Sequence, residues 1–396
     1  MIETLTGSRR SMLLALGGLA LGGCATTPPL QTTRPRFFTP PLVPIDSRLE
    51  RITRVTVCLR PFRAMGPRIE AEAFGDKRLV HNYGHGGSGW SLSWGSAEIA
   101  RELALAGGAG PVAVIGCGAI GLTTATLLRR AGAEVTIYAS ERLPHTRSAR
   151  ATGLWTPDSR IADADRVDQA FPAFWERLAR ASWATHQDYL GQPADPVAFL
   201  DHYILADRPA SSGPSTPRAR RQGEVAFVNY GSRLGDLTPR SFAVDSQDHP
   251  FDKPNVRRSL NMQFNVSELG RRLMSDFLIE GGHIETRTFH APSELAALSQ
   301  PVIVNCTGYG ARALFGDESI IPVRGQMTWL PAQPEVRYSL YFSGVGVTTR
   351  PDGIGLQRLA GDMFGYGSTD ETVDTTEAAD AVSRVAALFR PAGPVA

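Results

Sequence analysis

An α/β fold is predicted for this chain by three features met along the sequence. Pro111-Val112-Ala113-Val114-Ile115 is a short unbroken apolar run, as expected of a strand buried on both faces. It turns through Gly116-Cys117-Gly118-Ala119-Ile120-Gly121 into a helical stretch over 122–131, and a second strand follows at 134–138. Far downstream, residues 301–305 supply another apolar strand. Strand, helix and strand within about thirty residues form a βαβ unit, which requires a parallel sheet.

Ahead of this unit, residues 25–47 are rich in Pro and Thr without periodicity and read as an extended spacer. A strand at 52–59 leads into Arg60-Pro61-Phe62-Arg63. The glycine-dense block His81-Asn82-Tyr83-Gly84-His85-Gly86-Gly87-Ser88-Gly89-Trp90-Ser91 then runs into a helix over 94–106, ended by Gly107-Gly108. Beyond the βαβ unit, helical patterns cover 167–190, 267–279 and 375–389, and 213–221 is a polar loop.

The formal charge of +2 is nearly balanced, and the aromatics are not interleaved with Lys and Arg, which excludes a nucleic-acid binder. At the N-terminus, Arg9-Arg10 precede an apolar run over 13–21 that is too short to span a bilayer. The arginine pair resembles a twin-arginine export signal, and Leu21-Gly22-Gly23-Cys24 resembles a lipoprotein cleavage box. Cys24 would then carry a lipid and tether a soluble body to a membrane; an ordinary signal peptide with a chance cysteine is the alternative. Cys58, Cys117 and Cys306 have neither the number nor the spacing of a disulfide framework or a zinc site, so free thiols and no metal are expected.

The glycine motif sits where a dinucleotide fingerprint belongs, after a strand and before a helix. Gly116 permits the tight turn, Gly118 admits a pyrophosphate, and Gly121 lets helix and strand approach, with the helix N-terminus facing the phosphate charge. The acidic residue expected some twenty positions on, to hold a ribose hydroxyl, is Glu141, with Ser140 as the neighbouring alternative. The fingerprint does not separate NAD from FAD. The late strand ending in Asn305-Cys306-Thr307-Gly308, and the lack of a second glycine fingerprint, favour FAD.

Six segments together resemble the D-amino-acid oxidase family: 114–122, Ala151-Thr152-Gly153-Leu154-Trp155, 304–308, Arg324-Gly325-Gln326, 59–63 and 81–94. In that family the glycine fingerprint opens the chain, whereas the Arg-Pro and His-Asn-Tyr-Gly-His-Gly-Gly segments close it. Here the closing segments come first, the pattern of a circular permutation. The resemblance thus implies a Rossmann-like FAD-binding domain interleaved with a mixed-sheet substrate domain, circularly permuted. The chain divides into a signal peptide (1–23), a linker (24–49), the displaced closing segment (50–110), and the FAD-binding βαβ with its following helices (111–190). A first part of the substrate domain (191–260), a return to the FAD domain (261–318) and the rest of the substrate domain with a C-terminal helix (319–396) complete it.

The resemblance also implies chemistry: hydride transfer from a D-amino acid to FAD, reoxidation by oxygen to hydrogen peroxide, and hydrolysis of the imino acid to a 2-oxo acid and ammonia. Arg60 falls on the carboxylate-binding position, with Gly87 beside the reacting centre. Gly86, Gly87, Ser88, Gly89, Trp90 and Ser91 match the loop against the flavin ring. Gly116, Gly118, Ala119, Ile120, Gly121, Ser140, Glu141, Arg142, Ser148, Gly153, Leu154, Thr307 and Gly308 match dinucleotide contacts, with Thr146 and Arg147 weaker additions. Arg63 and Arg68 read as structural, and His85 as a hydrogen-bonding core histidine and not a base. The family's active-site tyrosine aligns with Gly346, leaving Tyr338, Tyr341 or Tyr366 as substitutes and room for glycine or sarcosine as substrate. A dehydrogenase of the same fold, or a non-catalytic FAD-binding lipoprotein, are the rival functions.

Overall fold

Two mixed sheets share the chain in alternating turns. The computed structural model describes residues 42–208, 221 and 223–390. The signal peptide, Cys24, most of the linker, most of the predicted 213–221 loop and the 391–396 tail lie outside these residues.

The smaller sheet has six strands, ordered β2 (Arg68–Phe74), β3 (Lys77–Tyr83), β10 (Val302–Asn305), β4 (Pro111–Ile115), β5 (Glu134–Ala139) and β9 (His283–Thr286). All neighbours are parallel except the β2–β3 hairpin. Alternate side chains feed two cores, as a sheet covered on both faces requires. Val80, Val112, Val114 and Val304 pack towards helices α1 (Gly89–Ala104), α2 (Ala119–Arg130), α3 (Phe171–His186) and α4 (Val266–Ile279). Leu79, Ala113, Ile115 and Ile303 face the other way, sharing a cluster with Leu295 of α5 (Pro292–Ala296) and Leu314 of α6 (Ala311–Phe315).

The larger sheet runs β1 (Arg54–Arg63), β11 (Ile320–Leu330), β14 (Gly353–Arg358), β13 (Val345–Arg350), β12 (Tyr338–Phe342), β6 (Val197–Ala206), β8 (Asn255–Phe264) and β7 (Phe242–Ala243). Helix α7 (Thr375–Ala386) covers it with Ala378, Ala381, Val382 and Val385, an i, i+3, i+4, i+7 stripe. Asp374 starts that helix by accepting from the amides of Thr376 and Glu377 at 2.8 and 2.9 Å.

Several expected boundaries move. Helix α1 begins at Gly89, so Gly89, Trp90 and Ser91 form its first turn and not a loop. Burial of the helix between α2 and α3, more than glycine's poor propensity, decides that start. His81, Asn82 and Tyr83 lie in strand β3, which the glycine-rich surroundings concealed. Strand β1 runs on through Arg60 to Arg63 despite Pro61, because it is an edge strand and Pro61 stands opposite Pro322, which has no N–H either. Residues 50–110 therefore serve both sheets, and the expected boundary at 260 falls inside β8. Cys58, Cys117 and Cys306 are free thiols. Among the described residues no helix is long and apolar enough to cross a membrane, and no cluster could hold a metal ion.

Candidate active site

Parallel strands release their backbones at one edge, and ligands bind outside those carboxyl ends. The ends of β4, β5 and β10 here open onto a cavity of about 610 Å³ that reaches the face of the larger sheet. One end is walled by the β4–α2 turn, by Tyr138 to Glu141 and by Cys306 to Gly310; the other by Arg60, Gly86, Met327, Gly346, Thr348 and Gln357.

Of the residues singled out from the sequence, Gly116, Gly118, Ala119, Ile120, Ser140, Glu141, Ser148, Leu154, Thr307, Gly308, Gly86, Gly87, Gly89, Trp90 and Arg60 line this cavity together. Ser140 and Glu141 both do so, leaving that pair of alternatives open. Gly121 lies behind the wall, where a Cβ would fall 2.0 Å from the Gly116 carbonyl. Gly153 is also behind it, with φ +86°, its carbonyl accepting from the Phe264 amide at 2.6 Å. Ser88 and Ser91 point away from the cavity. Ser88 Oγ donates to the Ser159 carbonyl at 3.1 Å, and Ser91 Oγ accepts from the Thr156 amide at 2.9 Å. Arg142 turns outward too, donating to the Ile284 carbonyl at 3.0 Å and to Thr286 Oγ1 at 3.1 Å.

Helix α2 aims its N-terminus into the cavity, with the Ala119 amide donating to Ser148 Oγ at 3.0 Å. Trp90 Nε1 donates to the Ser148 carbonyl at 2.9 Å, tying α1 to the same loop. Thr146 Oγ1 is buried without a hydrogen-bond partner. Arg147 meets Glu371 at 2.5 Å and lies over Tyr309 at 5.3 Å. At the other end, Arg60 reaches one carbonyl, that of Arg324, at 3.4 Å, and has no carboxylate partner among the described residues. Burial holds its guanidinium pKa below the usual value. Arg63 and Arg68 are structural, bound respectively to Ser319 and Gly66 and to Glu70, Glu72 and the Tyr83 hydroxyl.

None of the three tyrosines lines the cavity. Tyr338 donates to the Val43 carbonyl, Tyr341 is exposed, and Tyr366 packs against Phe62 and Phe227. Gly346 does line it, and leaves space where a side chain would stand. Sequence reasoning missed Ser159, Arg160 and the 287–290 segment, which carry no motif and reach the cavity only through the tertiary fold.

His85 lines the cavity as well, but its Nε2 is buried without a partner, so it is not the hydrogen-bonded residue expected. Burial drives its pKa down to about 3, which keeps the ring neutral. His186, whose Nε2 pairs with the Trp90 carbonyl at 2.9 Å, is held at about 4 for the same reason. Below the ordinary value of 6.5 the unfolded chain therefore takes up protons that both folded histidines refuse. Stability should fall as pH drops from about 6.5 towards 4, by up to roughly 1.4 kcal/mol per pH unit for each ring. Urea midpoints at a series of pH values check this; a flat profile across the window would contradict it.

The family model for FAD dependent oxidoreductases (DAO) matches residues 31–103 and 111–242, just over half of the chain. A D-amino-acid oxidase from Streptomyces coelicolor is 32% identical over 220 residues, covering 55% of this chain and 58% of that protein. A D-amino-acid oxidase from Dictyostelium discoideum is 28% identical over 223 residues, covering 54% of this chain and 55% of that protein. The chain thus spans somewhat over half the length of these curated relatives. Among solved structures, L-amino acid deaminase from Proteus vulgaris without its specific insertion superimposes with a TM-score of 0.44 at 12% identity. The superposition covers 70% of this chain and 73% of that one.

Proposed function

This chain belongs to the DAO family of FAD-dependent oxidoreductases, and from that premise we propose that it oxidises D-amino acids to 2-oxo acids and ammonia. The observation that carries this reading is Arg60, a half-buried guanidinium with no carboxylate partner among the described residues, in the wall of the cavity that the glycine fingerprint also lines.

The residues present fit FAD. The Gly116–Ile120 turn offers free space and α2 amides to a pyrophosphate, and Thr146 Oγ1 is a buried group in want of a partner. Ser140 or Glu141 would take the ribose, Ser148 and Thr146 the linking region, and Gly86, Gly87, Gly89 and Trp90 the ring. Bound there, FAD supplies a two-electron acceptor for the hydride of the substrate α-carbon and returns both electrons to oxygen as hydrogen peroxide. Arg60 would fix the α-carboxylate through its planar fork, so that the α-hydrogen is presented in one orientation and one enantiomer is favoured. Neutral His85 makes no demand for proton transfer and keeps that end of the cavity free of a titrating base at working pH.

The order of segments is read as a circular permutation. Two features support it: the family match is interrupted only between 103 and 111, and Ser47 Oγ donates to the Val382 carbonyl of α7 at 2.9 Å. The segment leading to β1 thus lies against the C-terminal helix, where an unpermuted chain would run on. Arg9-Arg10 and Cys24 support export of the folded, FAD-loaded protein and a lipid tether.

The test is an anaerobic absorbance titration of the yellow protein with D- and L-amino acids, glycine and sarcosine. Bleaching by D-amino acids, with colour and peroxide returning on exposure to oxygen, is expected. A protein that no D-amino acid bleaches refutes the reading. Bleaching that only an added acceptor reverses assigns a dehydrogenase in its place.

A further inference from the structure

A second arginine, which the proposed reaction does not use, faces the Arg60 end of the cavity. Arg160 lies on the loop after Trp155 and adopts φ +49°, a left-handed conformation that is strained for a residue with a side chain. The strain is held from outside. The Ser159 carbonyl accepts from the Gly87 amide at 2.9 Å, and the Arg160 carbonyl sits where a Cβ on Gly86 would fall, 1.8 Å away. The glycine block and Arg160 are therefore fitted to one another.

The guanidinium of Arg160 is aimed by backbone alone. Its Nε donates to the Asp362 carbonyl at 3.2 Å and one Nη to the Gly361 carbonyl at 3.4 Å, while Phe227 lies 5.7 Å beneath it. It makes no ion pair among the described residues; the Asp362 carboxylate is near enough to attract it but not to bind it. Burial first, and then repulsion from Arg60, pull its pKa down to about 10. Two cations that repel each other are thus lodged in one cavity wall, whose other lining there is Thr156, Thr348, Gln357, Gly346 and Met327. Among the described residues no carboxylate lines that end. Repulsion between two half-buried like charges is unfavourable, and an anionic ligand that answers both relieves it.

We propose that the substrate carries a second carboxylate on its side chain, with Arg60 holding the α-carboxylate and Arg160 the side-chain carboxylate. This deepens the oxidase reading and rests on it. Gly346 fits the same picture, since the missing side chain leaves room between the two arginines and the β13–β14 surface for a longer, charged substrate.

The test compares D-glutamate and D-aspartate with their neutral amides, D-glutamine and D-asparagine, on the holoenzyme. The acids should exceed the amides in kcat/KM by about tenfold, because an amide leaves the half-exposed Arg160 guanidinium in the cavity wall without an anion. In Arg160→Gln that ratio should fall to about one with FAD content unchanged, and Arg160→Lys should restore part of it. Glutarate and butyrate, which cannot be oxidised, give a second readout through the shift of the flavin absorbance band. Glutarate should bind more tightly than butyrate, and only while residue 160 is cationic. Wild-type enzyme that prefers the amides, or an Arg160→Gln variant that keeps the acid preference, overturns the proposal. So does an Arg160→Gln variant whose main loss is FAD. If no amino acid is oxidised but glutarate binds through Arg160, the oxidase reading fails and the paired anion site stands. If neutral D-amino acids are oxidised while glutarate and the acids neither bind nor compete, the reverse holds.

Discussion

Replacing Arg60 with Met is expected to lower kcat/KM for D-amino acids by about a thousandfold while the protein still purifies yellow. On the proposed reading the guanidinium meets the substrate α-carboxylate, and loss of a desolvated, hydrogen-bonded charge partner costs roughly 2–5 kcal/mol of binding. Arg60→Lys should recover little, since an ammonium lacks the planar fork and is more strongly hydrated. Stability should move the other way. Arg60 packs over Gly325, where even a Cβ would lie 2.3 Å from Nη2, and no carboxylate among the described residues offsets its charge. Methionine of similar length fills that slot without the charge, so the apoprotein should gain about 1–3 kcal/mol in urea. Lost turnover with gained stability marks a residue kept for its ligand. Near-normal turnover by Arg60→Met would remove it from the site; lost turnover with equally lost stability would make it structural.

The parts of this site legible in the sequence are those that backbone geometry restricts to few residue types. Gly116, Gly118 and Gly121 are legible because a pyrophosphate turn and a close helix–strand contact tolerate little else. Arg60 is legible because it lies in the Arg-Pro segment. The start of α1 was not, because Gly89, Gly95 and the serines have poor helix propensity and only packing against α2 and α3 makes them helical. The β2–β3 hairpin was not, because β3 is held in the sheet by pairing with β10, over two hundred residues away. Arg160 was least legible of all. Its role depends on a left-handed φ and on two carbonyls from 361–362, and neither leaves a local pattern. Arg142 shows the opposite case: the resemblance counts it among the dinucleotide contacts, but its side chain faces β9.

Electrostatics separates the two ends of the cavity. At the fingerprint end, Arg147 is answered by Glu371, the amides at the start of α2 face the cavity, and Arg287 lies over Tyr138 and Phe289 without an ion pair among the described residues. At the far end, Arg60 and Arg160 stand without ion pairs among the described residues, beside a histidine too buried to charge.

Gly121→Val is expected to abolish the holoenzyme altogether. Gly121 touches nothing in the cavity, yet a Cβ there would lie 2.0 Å from the Gly116 carbonyl and 3.5 Å from Cys306 Cβ. The first contact is with backbone, which cannot rotate away, so α2 must lift from β4 and β10. That shift moves the Ala119 amide and the Gly116 turn together, destroying the phosphate cradle and opening the core around Leu122 and Ala125. Overpacking of this kind costs about 1–3 kcal/mol or more, and FAD affinity should fall by at least about 100-fold. Gly118→Ala is the informative control. Its Cβ would meet Ser148 Oγ at 2.8 Å, a side chain that can turn aside, so the fold should survive with FAD binding weakened only several-fold. The ratio of absorbance at 450 to 280 nm reads cofactor content, and urea unfolding of the apoproteins reads the fold. If Gly121→Val folds and binds FAD as the wild type does, close helix–strand contact is not what the third glycine provides. If Gly118→Ala loses FAD completely without unfolding, the turn itself, and not the height of α2, sets the affinity.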